Sequence, residues 1–352
     1  MDSLVGMDSS IKDMASLLRI GSDDVQIVGI WGMAGIGKTS IAEAVYERIY
    51  DKFEGCCFLR NVREDSQRYG PTYLKEKILS QILGGTQSFN SGINFIKARL
   101  HSRKILIVLD DVNNQQQLKA LAGNHDWFGL GSRIIITTRN QQLLISQEVK
   151  AIYEVKELKY DEARMLFCQY DFRDKRPTKD FMQLCHQAVD YTGGLPLALK
   201  VLGSCLHKKD IDVWKSELDK LKQFPNIEVQ NVLQTSFERL DDNEQNIFLD
   251  IAFFYKGHHK DYVKDILNSC GFFFDTGIES LQDKSLITIS KKNKLWMHDL
   301  LQEMGWNIVR QKSEVPGKRS RLLVHEDINH VLTTNTVRPK YINSRFFMCI
   351  SS

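Results

Sequence analysis

A glycine-rich segment, GMAGIGKTS at residues 32–40, has the spacing of a phosphate-binding loop. Glycines permit backbone angles that turn successive N–H groups toward one anion, and a helix that follows adds the positive end of its dipole. The lysine ammonium is expected to reach the β- and γ-phosphates, and the threonine hydroxyl to bind Mg²⁺. We therefore expect a nucleotide and its magnesium ion to be held by Gly32, Gly35, Ile36, Gly37, Lys38, Thr39 and Ser40.

Two acidic residues follow an apolar run in KILIVLDDV at residues 104–112. In phosphate-loop proteins, an acidic residue at the end of such a strand completes the magnesium site. Asp110 is the expected metal ligand together with Thr39, and Asp111 is the expected catalytic residue that orients or activates a water molecule. The alternative is that the two carboxylates begin a solvated loop and take no part in binding.

A third charged position is Arg139, which ends the apolar run RIIITTR at residues 133–139. Open α/β sheets bind ligands at the carboxyl ends of their strands. A guanidinium there could contact the γ-phosphate and report its presence. The alternative is an arginine that simply caps a strand, which is a common arrangement.

The segments around the phosphate loop, Asp110 and Arg139 are predicted to form strands and helices that can position these residues. Buried strands are predicted at 25–31, 56–62, 104–112, 133–139 and 151–155, and helices at 41–49 and 74–83. Strands of nearly continuous apolar residues that alternate with helices predict a parallel sheet covered on both faces, an α/β nucleotide-binding domain over residues 1–156. The phosphate loop falls between a strand and a helix, which favours a true nucleotide site over a glycine-rich turn.

Beyond residue 156 the strands stop. Helical patterns at 160–170 and 179–192, the latter ending at Gly193 and Gly194, with a further helix after Pro196, predict a helical domain over residues 157–224. Helices near 229–239, 243–253, 259–268 and 275–283 precede two short predicted strands, 286–290 and 294–298. That order indicates a winged-helix domain over residues 225–312, followed by a basic tail, residues 313–352.

Composition excludes several classes of protein. The formal charge of +3 is too small to predict binding to nucleic acid or a membrane, and no N-terminal signal or membrane-length apolar run is present. Seven cysteines without paired spacing favour reduced thiols over a disulfide framework or zinc site. We expect a cytoplasmic protein, with the nucleus as a second location.

Seven motifs in order resemble one family. GMAGIGKTS, FLRNVRE, KILIVLDDV, GSRIIITTR, GLPLALKVLG, FLDIAFF and MHDLLQEMG are similar to the NB-ARC region of plant intracellular immune receptors, of the subclass with an N-terminal TIR domain. The resemblance implies that Val5 and Gly6 lie against the adenine and that Pro196 packs near the adenine and ribose. It makes Arg139 the γ-phosphate sensor and His298 a contact of the ADP β-phosphate.

The histidine assignment comes from the resemblance alone, because a lone histidine beside a hairpin is more often structural. Its neighbours Trp296, Met297 and Leu300 are expected to be core residues. Asn113 departs from the family, whose members often carry an acidic residue there, and little effect on the site is expected.

The resemblance implies an ADP/ATP-dependent switch in plant immune signalling, off with ADP and on with ATP, and at most a slow ATPase. It covers residues 4–336, so we expect neither a TIR domain nor leucine-rich repeats, and hence no NAD hydrolysis. The expected partners are the nucleotide and either further copies of the chain or full-length immune receptors, with no specific nucleic acid and no membrane.

Two other functions stay open at this point. One is an efficient ATPase or small-molecule kinase, although no lid for an acceptor is evident. The other is a DNA-binding regulator, although the presumed recognition helix at 275–283 carries Asp275, Glu279 and Asp283 and no basic residue. Acidic side chains facing DNA phosphates would be repelled.

Overall fold

The computed structural model of this chain describes residues 5–83, 100–123, 125–171, 179–221, 225–322 and 325–334. The chain divides into two compact units, Met1–Lys209 and Asp210–Ser352. The division lies within the predicted helical domain of residues 157–224, and our domain boundaries stay predictions. The part of the predicted basic tail beyond residue 334 lies outside the described residues.

The first unit is built on a five-stranded parallel sheet with the strand order β2-β3-β4-β1-β5. The two central strands β3 and β4 are buried along nearly their whole length, which explains their runs of isoleucine, leucine and valine. The strands are β1 (Gln26–Trp31), β2 (Gly55–Leu59), β3 (Ile105–Val112), β4 (Arg133–Thr138) and β5 (Ala151–Glu154).

Helices cover both faces of this sheet, as predicted. One face packs against α3, α4 and α5 through alternate strand residues such as Ile107 and Ile134, and α1 and α2 pack on the sheet as well. The described helices of the unit are α1 (Asp8–Leu18), α2 (Lys38–Ile49), α3 (Val62–Leu83), α4 (Gln115–Ala122), α5 (Gln141–Ile145), α6 (Tyr160–Asp171), α7 (Lys179–Thr192) and α8 (Pro196–Leu206).

The last three helices of this unit confirm the helical pattern predicted after residue 156. Helix α7 ends before the positive-φ residues Gly193 and Gly194, and α8 begins with Pro196 at its first position. Proline suits that position because the first helical N–H has no partner within the helix. The N–H of Leu158 donates to the carbonyl of Gly194 at 3.1 Å, which ties the strand-to-helix connection to the start of α8.

The second unit is helical with one small hairpin, and it confirms the winged-helix prediction. Strands β6 (Thr288–Ile289) and β7 (Leu295–Trp296) pair antiparallel. The described helices are α9 (Ile211–Leu221), α10 (Ile227–Phe237), α11 (Asp242–Asp250), which continues into a π-helical turn (Ile251–Tyr255), α12 (Lys260–Ser269), α13 (Phe274–Asp283), α14 (Asp299–Lys312) and α15 (His325–Thr334).

Three predicted strands are shorter in the structure. The strand predicted at 56–62 ends at Leu59, because Asn61 has a φ of +53° and Val62 already begins α3. The two hairpin strands predicted at 286–290 and 294–298 keep two residues each. Beside the second strand, Met297 and Leu300 are buried as predicted, but the prediction for Trp296 is wrong. Its side chain is 53% exposed, and the ammonium of Lys256 lies 5.2 Å from the ring centroid.

Among the residues that the structure describes, none of the helices combines the length and the apolar character needed to cross a bilayer.

Candidate nucleotide-binding site

The phosphate loop connects β1 directly to α2 and has the backbone of an anion cradle. Gly35 and Gly37 have φ values of +77° and +98°, which side-chain-bearing residues rarely adopt, and α2 begins at Lys38. Gly32 and Ile36 are buried, whereas Ser40 is half-buried. The loop thus presents backbone amides and a helix N-terminus at the carboxyl edge of the sheet.

Lys38 lies inside this loop. Its ammonium donates to the carbonyl oxygens of Gly32 and Met33, both at 2.8 Å. Burial lowers the pKa of Lys38 to about 7, and the nearby Arg139 adds to the decrease, whereas Asp111 and Asp110 oppose it. A phosphate group near this ammonium would favour the charged form, because an opposite charge stabilises it.

The acidic residue Asp110 meets the loop as predicted. Its Oδ1 accepts hydrogen bonds from the hydroxyls of Thr39, at 2.8 Å, and Thr137, at 2.6 Å. Asp110 is 3% exposed, so it does not stand in a solvated loop, and its role as a metal ligand stays a prediction. A threonine hydroxyl beside a carboxylate oxygen is the hard oxygen donor set that Mg²⁺ prefers, so these two residues fit the ion.

Asp111 has a different environment from its neighbour. Its φ is +58°, at a shift in the register between β3 and β4, and its N–H donates to the hydroxyl of Thr137 at 2.9 Å. Its two carboxylate oxygens face two arginines, with Oδ2 3.2 Å from Nε of Arg63 and Oδ1 3.6 Å from Nε of Arg139. Burial is the main factor that lowers the pKa of Arg139.

Of the residues predicted near the base, Pro196 lies beside the phosphate loop and Gly6 lies beside Leu158. A Cβ placed on Gly6 would lie 2.7 Å from Cδ2 of Leu158, and one placed on Gly37 would lie 3.8 Å from Cγ of Pro196. The N–H of Leu197 donates to the carbonyl of Gly35 at 3.1 Å. The start of α8 therefore lies beside the phosphate loop, and the N-terminal segment lies beside the connection between β5 and α6. Val5 is half-buried, and the contact of these residues with adenine stays a prediction.

His298 belongs to the second unit, where it has a structural role. It is the N-cap residue of α14, and its Nδ1 accepts the N–H of Leu300 at 3.1 Å. A cap of this kind satisfies one of the N–H groups that a helix start leaves without a partner. The role predicted for His298 at the β-phosphate of ADP stays a prediction.

Two residues of the site were missed by the sequence reasoning. Thr137 connects Asp110 to Asp111, and Arg63 pairs with Asp111. Both stand in motifs that the sequence analysis quotes, RIIITTR and FLRNVRE. Nothing in the spacing of the two motifs shows that they meet, since 74 positions separate them in the numbering.

Family models match two parts of the chain. Residues 8–176 match the NB-ARC domain, and residues 241–313 match the domain described as Disease resistance protein Roq1-like, winged-helix domain. Among solved structures, a Walker-type ATPase of Pyrococcus abyssi is similar in fold, with a TM-score of 0.61 at 14% identity over 86% of this chain and 96% of that chain.

Curated relatives are plant disease resistance proteins. Disease resistance protein RUN1 of Vitis rotundifolia is 46% identical over 337 residues, which are 94% of this chain and 25% of that protein. TMV resistance protein N of Nicotiana glutinosa is 40% identical over 346 residues, 96% of this chain and 30% of that protein. The chain therefore spans about a quarter of the length of the curated relatives it matches. Residues 8–176 thus form an NB-ARC domain and residues 241–313 a Roq1-like winged-helix domain, and along nearly its whole length the chain is similar to the corresponding region of plant disease resistance proteins.

Proposed function

We propose that this chain is a nucleotide-dependent switch in plant immune signalling, with ADP in its off state and ATP in its on state. One observation carries the proposal. Thr39, which directly follows the phosphate-loop lysine, is hydrogen-bonded to Asp110 at the end of β3. This contact supports a nucleotide site in which the phosphate-binding loop and the metal-binding residues lie within one unit.

The phosphate tail would be held by the backbone amides of residues 32–39, the N-terminus of α2 and the ammonium of Lys38. Mg²⁺, held by Thr39 and Asp110, would neutralise charge on the phosphate oxygens. Val5, Gly6 and Pro196 would lie at the adenine and ribose. The position of Pro196 beside the loop and that of Gly6 beside Leu158 support this assignment.

Slow hydrolysis fits the site better than rapid turnover. Asp111 is the residue that would orient or activate water, but both of its carboxylate oxygens face guanidinium groups. Asp111 must therefore leave both guanidinium groups before it can accept a proton from the attacking water, and this rearrangement would slow hydrolysis. We propose turnover well below about 1 s⁻¹, the low end for kinases, so that the bound nucleotide lasts long enough to define a state.

A switch also requires a contact that distinguishes the two nucleotides, because a ligand shifts a conformational equilibrium only by binding its states differently. The family resemblance supplies His298 as the residue that favours ADP. About 1.4 kcal/mol of preference would change the ratio of the two states tenfold. The proposal for this chain covers the nucleotide-dependent change of state and not the signalling activity of the longer relatives. Its partners would be further copies or full-length immune receptors, in the cytoplasm or nucleus.

The first experiment is to purify the chain, denature it and identify the released nucleotide, for which we expect ADP. Calorimetry should then detect magnesium-dependent binding of ADP that is lost when Lys38→Ala and Thr39→Ala are combined. Lys12→Ala, at an exposed position on α1 of the same unit, is the matched control and should bind normally. Well-folded protein that binds no adenine nucleotide, or a double variant that binds as well as the wild type, would refute the proposal.

The second experiment tests the role of His298. His298→Ala should retain more ATP on purification, or form larger assemblies in size-exclusion chromatography, than the wild type. His259→Ala, at an exposed histidine of the same unit, is the control. Equal nucleotide content and size in the two variants would remove His298 from the switch and leave nucleotide binding itself untouched.

A further inference from the structure

Arg63 is a partly buried cation beside the phosphate-binding residues, and the family resemblance assigns it no role. It lies in the first turn of α3, directly after β2, and its side chain is 13% exposed. Its Nε lies 3.2 Å from Oδ2 of Asp111, and its Nη2 lies 3.7 Å from Oε1 of Glu64. Its Nη1 is buried and has no hydrogen-bond partner among the residues that the structure describes.

Three neighbouring strands bring the charges together. Arg63 follows β2, Asp111 lies at the end of β3, and Arg139 follows β4. Because the strands are parallel, their carboxyl ends share one edge of the sheet, which is the edge of the phosphate loop. The carboxylate of Asp111 lies between the two guanidinium groups and balances their charge.

The position of Asp111 is fixed by the same residues that hold the loop. Its N–H donates to the hydroxyl of Thr137, which donates to Asp110, which also accepts the hydroxyl of Thr39. Its left-handed backbone, with a φ of +58°, is rarely adopted by a residue with a side chain, so the surrounding contacts must hold it there. These contacts hold the carboxylate between the two arginines.

We propose that Arg63 and Arg139 together bind the terminal phosphate of a nucleoside triphosphate, and that Asp111 is the counter-ion that pairs with both when that phosphate is absent. This inference rests on the proposed nucleotide switch. A guanidinium presents several N–H donors in one plane and binds a carboxylate or a phosphate with the same fork. The unpartnered Nη1 of Arg63 is the donor left for a phosphate oxygen.

Because the Asp111 carboxylate and the terminal phosphate compete for the same two guanidinium groups, Arg63 and Arg139 distinguish a triphosphate from a diphosphate. A diphosphate lacks the group that would compete with Asp111, so Arg63 contributes nothing to ADP binding. A triphosphate must displace the Asp111 carboxylate, which sets its affinity lower than the two arginines alone would give. Removal of Arg63 should weaken triphosphate binding alone, and neutralisation of Asp111 should strengthen it.

The experiment is calorimetry with ADP and with the β,γ-imido analogue of ATP, both with magnesium. Arg63→Gln should weaken binding of the imido analogue about tenfold or more and leave ADP binding within about twofold, where tenfold corresponds to one hydrogen bond to a charged group. Arg63→Lys keeps the charge but loses the planar fork of donors, so its affinity for the imido analogue should lie between those of the wild type and Arg63→Gln. Arg60→Gln, at a 61% exposed arginine of the same segment, should change neither affinity.

Asp111→Asn provides the second test, because it keeps the shape of the side chain and should bind the imido analogue more tightly than the wild type. Thermal unfolding by circular dichroism checks that each variant is folded, and the asparagine variant decides the question if Arg63→Gln does not fold. This inference would be overturned if Arg63→Gln changed the affinities for both nucleotides equally, or if Asp111→Asn bound the imido analogue no more tightly than the wild type. Either result would leave the proposed nucleotide binding itself intact. A wild type that binds neither nucleotide would overturn the proposed function itself.

Discussion

Thr137 and Thr138 are adjacent buried residues whose hydroxyls differ in the charge of the group they contact. The hydroxyl of Thr137 donates to the carboxylate of Asp110 at 2.6 Å, whereas that of Thr138 donates to the backbone carbonyl of Val112 at 2.8 Å. Each also accepts one backbone N–H. The hydroxyl of Thr138 also lies 3.4 Å from the carbonyl oxygen of Asn140. Replacement by valine removes the hydroxyl hydrogen bonds at either position and changes the shape little, so the main difference between the two variants is the bond to the carboxylate.

The difference in stability can be worked out from these contacts. A hydrogen bond to a charged group contributes a net ~1.5–3 kcal/mol, and one between neutral groups ~0.5–1.5 kcal/mol. Thr137→Val should therefore lower the free energy of unfolding of the first unit by about 1–1.5 kcal/mol more than Thr138→Val, roughly a tenfold difference in the unfolding equilibrium. Thr137→Val should also allow the carboxylate of Asp110 to turn away from Thr39.

Two measurements check this prediction. Urea unfolding, with hydrogen exchange of the β4 amides to localise the effect, gives the free energies for the two variants. Calorimetry of ADP with and without magnesium gives the metal-dependent part of the affinity, which should fall in Thr137→Val and stay unchanged in Thr138→Val. Equal loss of stability in the two variants, or equal magnesium dependence, would refute the reasoning that the Asp110 carboxylate is held by Thr137.

Three further predictions concern backbone, core and thiols. Gly35→Ala should destabilise the first unit more than Gly21→Ala, because both have positive φ but only the new Cβ at Gly35 would meet a side chain, at 2.8 Å; equal losses in urea unfolding would contradict this. Gln230→Leu should raise the melting temperature, because its buried amide has no hydrogen-bond partner among the described residues; a lower melting temperature would count against that explanation. Burial raises the pKa of Cys57 to about 12, so iodoacetamide at pH 8 should modify the exposed Cys205 and leave Cys57 unmodified, as mass spectrometry can check.

The sequence by itself determined the features that depend on short stretches of chain. The spacing in residues 32–40 requires glycine at positive φ followed by a helix, and the structure has both. The apolar runs around Ile107 and Ile135 predict buried parallel strands, because only a sheet covered on both faces buries every residue of a strand. Pro196 marks the start of a helix by its missing N–H.

Only the tertiary structure decided how charges far apart in the sequence combine. Arg63, Asp111 and Arg139 meet because β2, β3 and β4 are neighbours in the sheet, and strand order is set by long-range packing that spacing does not encode. Trp296 illustrates the same limit. Its apolar side chain predicts a position in the core, but the packing of the fold leaves it exposed. Residue type fixes what a side chain can do, but the neighbours that determine its charge balance and burial come from distant parts of the chain.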